Sequence, residues 1–581
     1  MKSRTSYFNA TVFKKNLTRF APAWGLYTIG LLLCLVSLID SGSTWFAGNL
    51  CEFIQMLCVF TPCYALLCTQ LLFGDLYNSR MCNALHALPL KRETWFGTHV
   101  LSGFAFHLIP TLIFALLTGI AALFCNPGDW QAAVMWLLGV NLQFICFFGI
   151  AVFSSFCVGN RFAQAVVYGI LNFGSLIVGW LVDTVFVPMY YGIQIDMTPF
   201  FWFSPMAQMV QEPFCAQTRH YLASGHLDPG ELVLGENFLY YFIVAAIGIG
   251  LLMLALHLYR RRKLECAGDF MAIKGLEPVF LVIYTVIVGA VFHFIAHEIF
   301  GLDTYLFLFL GLPVGWFTGK MLLDRTPRVF RLKNFLRCGL LLVICALVLV
   351  AVWLDPFGIE RWVPEMDAVQ TVTLVDGHYN YHNGKITTQA PEDIQKIILL
   401  HQQALQDHRQ GNSRDYTFTD AYDELILRKE RIPMDYTMQF TLTYELKNGR
   451  TVNRYYNIWM GGETGTWLNQ IFSAPEVVLE CEDLTTFLAK YRTLEIRDQW
   501  LGIATPIYSQ EKVSSLVAAI WADCEAGTMA QAYNFHNGVN SVYWIRFGDT
   551  LEITVYADCE NTLNWLRDYG LDVEDVIEKF G

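Results

Sequence analysis

The chain has 581 residues, of which 54% are hydrophobic and only 15% are charged. Because average soluble domains carry about 25% charged residues, this composition excludes a wholly soluble protein, a disordered chain and a collagen-like repeat, and it excludes nucleic acid as a partner. The net charge of −12 is unevenly divided: residues 1–354 hold 21 basic and 17 acidic side chains, whereas residues 355–581 hold 18 and 34. The two parts are therefore expected to lie in different solvents.

Apolar stretches dominate the first 354 residues. A bilayer core of roughly 30 Å is crossed by a helix of about 20 mainly apolar residues. Nine stretches meet this requirement, at 22–39, 53–74, 99–124, 131–157, 163–187, 237–258, 279–298, 304–323 and 336–354. The two around Gly301 are predicted as separate crossings, with one re-entrant hairpin as the alternative. The sequence predicts a polytopic α-helical membrane protein with about nine transmembrane helices in the lipid bilayer, and no cleavable signal peptide.

The positions of lysine and arginine predict the orientation. Short loops rich in these residues stay in the cytoplasm. Twenty of the 21 basic residues before residue 355 fall in alternate loops on one side, and only Arg219, in the 188–236 loop, falls on the other. We therefore predict a cytoplasmic N-terminus and an extracytoplasmic domain at 355–581 in a multi-pass protein of the cell membrane.

Polar residues inside the apolar stretches bear on the source of energy. They are His107, Asn141, Gln143, Asn172 and His293, and no carboxylate lies midway along a stretch. Carriers driven by protons or sodium usually bury an acidic residue in the membrane. Any transport is therefore expected to draw its energy from elsewhere. For His107 and His293 a hydrogen bond that packs helices together is favoured over a proton relay.

Two motifs are dismissed as sites. Gly315–Met321 has too few residues between its glycines for a phosphate-binding loop and ends in methionine, so it is predicted to be a packing segment. His293 and His297 share a helix face but have no third ligand in the pattern, and His378–His382 is predicted to lie on a solvated strand face. We predict no metal site, no catalytic residue and no cofactor bound by this chain.

The first predicted cytoplasmic loop, from Phe73 to Gly103, carries an unusual pattern. Met81, Leu85 and Leu88 repeat at helical spacing, which predicts a short amphipathic helix. Pro89 ends this helix, and Lys91 with Arg92 would anchor the next crossing at the lipid headgroups. An ordinary basic loop would explain the charges but not the apolar stripe.

The run from Asp75 through the Leu-Pro-Leu-Lys-Arg of residues 88–92 resembles the segment between the second and third helices of ABC-2-type permeases, the membrane subunits of ATP-binding-cassette exporters. A second stretch, Tyr259–Phe280, is similar to a segment of large permeases of this class from Gram-positive bacteria. The resemblance covers roughly residues 1–280. The chain departs from the usual six crossings in carrying three more helices and a large external domain.

The resemblance implies an organisation and a set of contacts. It makes residues 1–22 an interfacial connecting segment, with Phe8, Phe13, Leu17 and Phe20 in the interface. Residues 23–258 would be a six-helix permease core with a coupling loop at 76–98 and an external loop at 188–236 that carries short re-entrant helices. Residues 259–354 would add a basic loop and three further helices. The residues implied to contact an ATPase are Asp75, Leu85, Leu88, Pro89, Lys91 and Arg92, with a second contact at Arg261, Arg262, Glu265, Gly268 and Asp269.

Partners follow from the same resemblance. The chain has no Walker loop, so ATP and magnesium are expected on a separate cytosolic ATPase subunit, and the chain itself is predicted not to be an enzyme. One such subunit forms half of a pathway in this class. A second permease subunit is therefore expected, in a homodimer or a heterodimer.

The acidic part, residues 355–581, is patterned as an α+β domain. Two alternating runs turn at Asn448-Gly449 and two more turn at Gly548-Asp549, which predicts two hairpins. Helical runs occupy Pro391–Gln406 and Glu511–Cys524, and shorter ones follow the hairpins at 466–472 and 562–570. This order suggests two copies of a strand, helix, hairpin, helix unit, with an internal duplication and unrelated halves both open. Cys481, Cys524 and Cys559 allow one disulfide pair and one free thiol.

Two other classes of function stay open from the sequence. One is a membrane sensor whose outer domain binds a ligand and signals through a cytoplasmic partner, and the other is a membrane-bound enzyme of the cell envelope. The aromatic 188–236 loop could also be an external protein-binding surface.

Overall fold

The computed structural model describes residues 7–40, 46–87, 89–125, 130–211, 213–221, 227–262, 264–302, 304–376, 385–409, 437–459, 472–479, 484–491, 493–498, 504–529, 541–548 and 551–580. The chain forms two compact units. The first comprises Met1–Phe186 and Ile195–Leu349, and the second comprises Val187–Gln194 and Val350–Gly581. The three long helices after residue 262 thus belong, as far as Leu349, to the same unit as the six long helices before them.

The first unit is almost entirely helical. Its helices are α1 (Ala10–Arg19), α2 (Ala21–Asp40), α3 (Phe46–Leu72), α4 (Ser79–His86), α5 (Arg92–Cys125), α6 (Trp130–Cys157), α7 (Arg161–Leu181), α8 (Thr198–Trp202), α9 (Pro205–Gln211), α10 (Phe238–Arg261), α11 (Glu277–Phe300), α12 (Leu306–Asp324) and α13 (Leu332–Trp353). A hairpin of β1 (Cys215–Tyr221) and β2 (Leu227–Leu234) lies between α9 and α10.

Nine helices in the described ranges are long and apolar enough to cross a membrane, which confirms a polytopic helical architecture. The predicted stretch around 53–74 begins earlier, at Phe46, and that around 99–124 begins at Arg92. Two separate helices, α11 and α12, flank Gly301, which ends α11 in the left-handed conformation (φ 61°). Two short helices, α8 and α9, occupy the 188–236 loop as expected, and whether they re-enter a bilayer stays a prediction.

Glycines allow close helix packing at two places. A Cβ at Gly149 of α6 would meet the carbonyl oxygen of Gly248 of α10, and a Cβ at Gly248 would lie 2.5 Å from Ile145 O. In α12, a Cβ at Gly315 would lie 2.9 Å from Thr285 Cα of α11. The Gly315–Met321 motif is therefore a packing segment. Small residues that let helix backbones approach are a common device where lipid removes the hydrophobic drive between helices.

The second unit contains two four-stranded antiparallel sheets built from β3 (Val369–Asp376), β4 (Lys385–Thr388), β5 (Thr437–Leu446), β6 (Thr451–Trp459), β7 (Leu494–Asp498), β8 (Ala504–Ile507), β9 (Ser541–Phe547) and β10 (Leu551–Tyr556). The strand orders are β4-β3-β5-β6 and β8-β7-β9-β10. The two halves therefore share one topology. The predicted repeat unit lacked the short second strand of each half, β4 and β8.

The helices of the second unit have similar positions in the two halves: one long helix follows the second strand of each half, and shorter helices follow the fourth strand. They are α14 (Pro391–Arg409), α15 (Pro475–Val478), α16 (Leu484–Lys490), α17 (Gln510–Ala526), α18 (Glu560–Tyr569) and α19 (Val573–Phe580). The predicted helices at 391–406, 511–524 and 562–570 are confirmed, whereas nearly all of 466–472 lies outside the described residues, as does the His378–His382 cluster. The Asn448-Gly449 hairpin is also confirmed, with Gly449 at φ 80°.

A buried histidine joins α14 to the first sheet. His401 is 0% exposed, and its Nε2 lies 2.6 Å from the Tyr456 hydroxyl while its Nδ1 lies 3.1 Å from the Tyr444 hydroxyl. Burial, with a smaller effect of the Arg454 charge, lowers the pKa of His401 from 6.5 to about 3. The ring is therefore held neutral between two phenols at physiological pH.

This histidine makes the stability of the second unit dependent on pH. The pKa of His401 in the folded protein lies below the unfolded value of 6.5. Below pH 6.5 the unfolded state therefore binds a proton that the folded state does not bind. The free energy of unfolding has its full value above pH 6.5 and decreases as the pH falls towards 3. We expect wild type to lose about 2 kcal/mol more unfolding free energy than His401→Gln between pH 7 and pH 5. Equal losses in denaturant titrations of the two full-length proteins would show that another group titrates.

Residues 187–194 belong to the second unit, although the rest of that unit begins only at Val350. Gly192, at φ 74°, approaches the ring of Tyr456, and its carbonyl accepts a hydrogen bond from Tyr455 N at 3.0 Å. Tyr191 stacks on His408 with ring centroids 3.7 Å apart, and the Tyr190 hydroxyl donates to Val352 O at 2.9 Å. Residues 187–194, which interrupt the chain of the first unit, thus extend the edge of the first sheet beside β6.

Candidate docking surface

The predicted loop helix exists as α4, Ser79–His86. Asn78 precedes it and its Oδ1 accepts from Arg80 N at 3.0 Å, which caps the first turn. Cys82 faces inward and is 3% exposed, and burial raises the pKa of its thiol. Its neighbour Met81 is 45% exposed. The helix therefore presents an apolar side chain to the surroundings of the first unit, flanked by the exposed Arg80.

Arg92 joins the end of this loop to the end of α10. Its Nη1 lies 3.0 Å from Tyr259 O, 3.3 Å from Arg260 O and 3.0 Å from Arg262 O. Carbonyls in the last turn of a helix lack the usual partner within that helix, and here only Tyr259 O also accepts a backbone hydrogen bond, from Arg262 N at 3.3 Å, among the bonds that the structure describes. The guanidinium therefore supplies donors to this helix end and complements the negative end of the helix dipole. Glu93 adds an ion pair to Arg260 Nε at 3.2 Å.

The remaining loops at this end are paired through their backbones. Gly268 N donates to Gly159 O at 2.8 Å, and Ala272 N donates to Cys157 O at 2.9 Å. Gly268 has φ 101°, a conformation that other residues rarely adopt. Residues 73–92, 157–164 and 259–274 therefore form one connected structure, which we name the loop platform.

The loop platform also holds two partly buried polar links. Arg262 Nη1 donates to Ser155 O at 2.9 Å, and burial lowers the pKa of this guanidinium. The Tyr77 hydroxyl donates to Gln164 Oε1 at 2.7 Å. These bonds fix the loops that flank α4 to the ends of α6 and α7.

Aromatic rings of the loop platform and of the helix ends next to it pack together, and we name them the aromatic hub: Phe73, Trp95, Phe96, Phe156 and Tyr259. Phe73 lies 5.4 Å from both Trp95 and Phe156, and Phe156 lies 5.1 Å from Tyr259, measured between ring centroids. The rings come from the ends of α3, α5, α6 and α10. A displacement of the platform would therefore reach four helices through packed side chains.

The predicted site residues divide into three groups. Arg92, Arg262 and Gly268 are engaged in contacts within the chain. Pro89, Lys91, Arg261, Glu265 and Asp269 are exposed, and Asp75 is half-buried in a short 3-10 turn at Gly74–Tyr77. Leu88 lies outside the described residues, and of Leu85 only the backbone, in α4, is described. Contact of any of them with an ATPase stays a prediction.

The partners of Arg92 within the chain could not be predicted from the sequence because they are remote. Its carbonyl acceptors lie 167 to 170 residues further along the chain. The signal that was available is the basic run at 260–263, which marks a helix end but does not identify which loop caps it.

The connecting segment packs against the third crossing. α1 is capped by the Asn9 side chain, which accepts from Val12 N at 3.1 Å. Asn16 of α1 is 7% exposed and its Nδ2 donates to Ser102 Oγ of α5 at 3.0 Å. Leu17 and Phe20 contact the helical core, whereas Phe8 is 42% exposed.

The polar residues inside the helices serve packing. Gln143 Nε2 donates to Ile54 O at 3.0 Å, and Asn141 and Asn172 donate to carbonyls one turn earlier in their own helices. His107 is buried with its ring stacked 4.1 Å from that of Phe144, and His293 stacks on Tyr305 at 4.9 Å. Both rings therefore pack against aromatic rings outside their own helices, and the predicted hydrogen bonds of the two histidines stay a prediction.

His297 lies 3.9 Å from its neighbour Glu298. No group of three His, Cys, Asp or Glu side chains that could hold a metal ion occurs within the ranges that the structure describes.

In comparisons with known proteins, no family model, no curated protein and no solved structure matches this chain.

Proposed function

We propose that this chain is the membrane subunit of an ATP-driven exporter and that a separate cytosolic ATPase docks on the loop platform. The observation that carries the proposal is α4, a short helix of the loop platform that exposes Met81 while Cys82 is buried in the same cluster as the aromatic hub. Such a helix can receive a partner without losing its own packing. The resemblance of residues 75–92 to the coupling segment of ABC-2-type permeases supports the same role.

In the proposed cycle the aromatic hub transmits motion from the loop platform to the long helices. ATP binding and hydrolysis on the partner would move the loop platform, and the packed rings of Phe73, Phe156 and Tyr259 would pass this motion to α3, α6 and α10. Packed interfaces of this kind switch between discrete arrangements and do not deform continuously. In this proposal the platform faces the cytoplasm, as the basic residues of its loops favour, and two permease subunits complete the pathway.

Replacing Met81 by glutamate tests the docking role. The substitution places a charge at the centre of the proposed contact but on an exposed position, so the fold should be retained. We expect at least tenfold weaker association with the ATPase that co-purifies with the wild-type chain, because burying an unpaired carboxylate at an interface costs more than about 1.4 kcal/mol. Association is measured by co-purification and by titration of the purified subunits.

Met366→Glu is the matched control. Met366 is 39% exposed and belongs to the second unit, so this variant should bind the ATPase as wild type does. Undiminished binding by Met81→Glu would contradict the docking role. If a kinase and no ATPase binds the platform, the chain is a sensor.

A further inference from the structure

Two cysteines meet where hairpin β1–β2 packs on the first turns of α3. Cys51 is 2% exposed and Cys215 is 1% exposed, and their sulfurs lie 2.6 Å apart although 164 residues separate them in the sequence. Even the smaller carbon atoms are usually about 3.5–4.0 Å apart in van der Waals contact, whereas the sulfurs of a disulfide are about 2.05 Å apart. We propose that Cys51 and Cys215 are a site of oxidative modification and form a disulfide bond in the mature protein.

The surrounding contacts hold the two thiols together. Gly48 N donates to Gln217 Oε1 at 2.9 Å, which ties α3 to β1 one turn before Cys51 and two residues after Cys215. Strand β1 pairs with β2 next to the cysteine, with Cys215 opposite Leu234. The bond therefore requires only a small shift of two side chains that already face each other, with no rearrangement of the backbone pairing.

The location suits oxidation. The basic-residue bias places the start of α3 and the 188–236 loop on the side opposite to the loop platform, outside the cytoplasm. Disulfides persist in oxidising compartments and are rare in the cytosol. The inference thus rests on the orientation part of the proposed function and is independent of the ATPase.

The chemistry balances with an exchangeable disulfide of the thiol–disulfide oxidoreductase class as the oxidant. The thiolate of one cysteine attacks the oxidant's disulfide, which forms a mixed disulfide and releases one sulfur of the oxidant as a thiol. The second cysteine then attacks the sulfur of the first, and the other oxidant sulfur leaves. Two electrons and two protons pass from the cysteines to the oxidant. Because both cysteines are buried in the folded unit, the reaction precedes the packing of the hairpin.

Mass spectrometry of the full chain tests this site. Cells are treated with N-ethylmaleimide before lysis, and the protein is denatured in the same reagent and digested without reductant. We expect a linked peptide pair containing Cys51 and Cys215, two hydrogens lighter than the two thiol peptides together, and its disappearance in Cys51→Ser. Cys58, whose sulfur lies 2.7 Å from Gln143 Nε2, should carry the maleimide. Maleimide on both Cys51 and Cys215 would overturn the proposal.

A labelling control separates the disulfide from the orientation. Glu231 is exposed on β2, and in Glu231→Cys cells it should react with a membrane-impermeant maleimide added from outside. If Glu231→Cys reacts but Cys51 and Cys215 are free thiols, the proposed disulfide is wrong and the proposed orientation of the hairpin outside the cytoplasm is retained. If Glu231→Cys does not react from outside, the orientation is wrong and a linked pair would have to have formed in the cytosol, which contradicts the reasoning above.

Discussion

Replacing Gly248 by alanine is expected to destabilise the helical unit by about 1–3 kcal/mol, the usual cost of an added methyl group in a closely packed core. The new Cβ would lie 2.5 Å from Ile145 O and 2.8 Å from Cys146 Cα. Both atoms belong to the α6 backbone, which cannot rotate away as a side chain can, so α6 and α10 must separate. Thermal unfolding of the purified protein in detergent measures the loss as a lower midpoint.

Gly250→Ala provides a control on the same helix. A Cβ at Gly250 meets nothing within 4 Å, so this variant should gain up to about 1 kcal/mol from the lower backbone entropy of alanine in a helix. The two substitutions add the same methyl group two residues apart and should shift the midpoint in opposite directions. Equal shifts would mean that α6 and α10 are not in backbone contact.

Replacing Arg92 by methionine should cost about 2–3 kcal/mol, because one charged group serves the carbonyls of Tyr259, Arg260 and Arg262. Methionine keeps much of the side-chain length, so the loss reports on the charged group, that is, on its hydrogen bonds and on its cation–π contact 5.5 Å from the centroid of the Tyr259 ring. The end of α10 should open first. Hydrogen exchange of the amides at 255–262 in the detergent-solubilised protein should therefore increase more than that of α2.

Arg261→Met removes a neighbouring charge that is exposed and should change stability by less than about 0.5 kcal/mol. If the proposed function holds, Arg92→Met should still bind the ATPase through Met81 but should couple poorly, with ATP hydrolysis less responsive to transport. If Arg92→Met has the same stability and hydrogen exchange as Arg261→Met, the hydrogen bonds of Arg92 to the end of α10 do not stabilise the protein.

The helices could be predicted because long apolar runs leave the backbone no alternative in lipid. Boundaries were harder to predict, since the first two turns of α3 contain Gly48, Asn49 and Glu52, which lower its hydropathy but are compatible with a helix. The hairpin at Asn448-Gly449 was also readable, because the turn requires a residue that accepts a positive φ. The four-residue strands β4 and β8 were too short to produce a pattern.

The contacts that define the sites could not be predicted. His401 was one residue in an amphipathic helix, and nothing near it in sequence indicates the tyrosines at 444 and 456 that contact it. Cys51 and Cys215 were among many cysteines in apolar surroundings. In each case the local sequence pattern indicates the helix or strand to which a residue belongs. The residues that it contacts depend on how distant helices and strands pack, which the local pattern does not show.

Because residues 187–194 pair with the edge of the first sheet beside β6, no single cut in the sequence separates the two units. A fragment that ends before residue 350 would keep Tyr190 and Tyr191 but lose the groups they contact, Val352 and His408. A fragment that starts there would leave the edge beside Tyr455 without its neighbour. Separate production of the two parts therefore requires a grafted peptide carrying residues 187–194 on the C-terminal fragment.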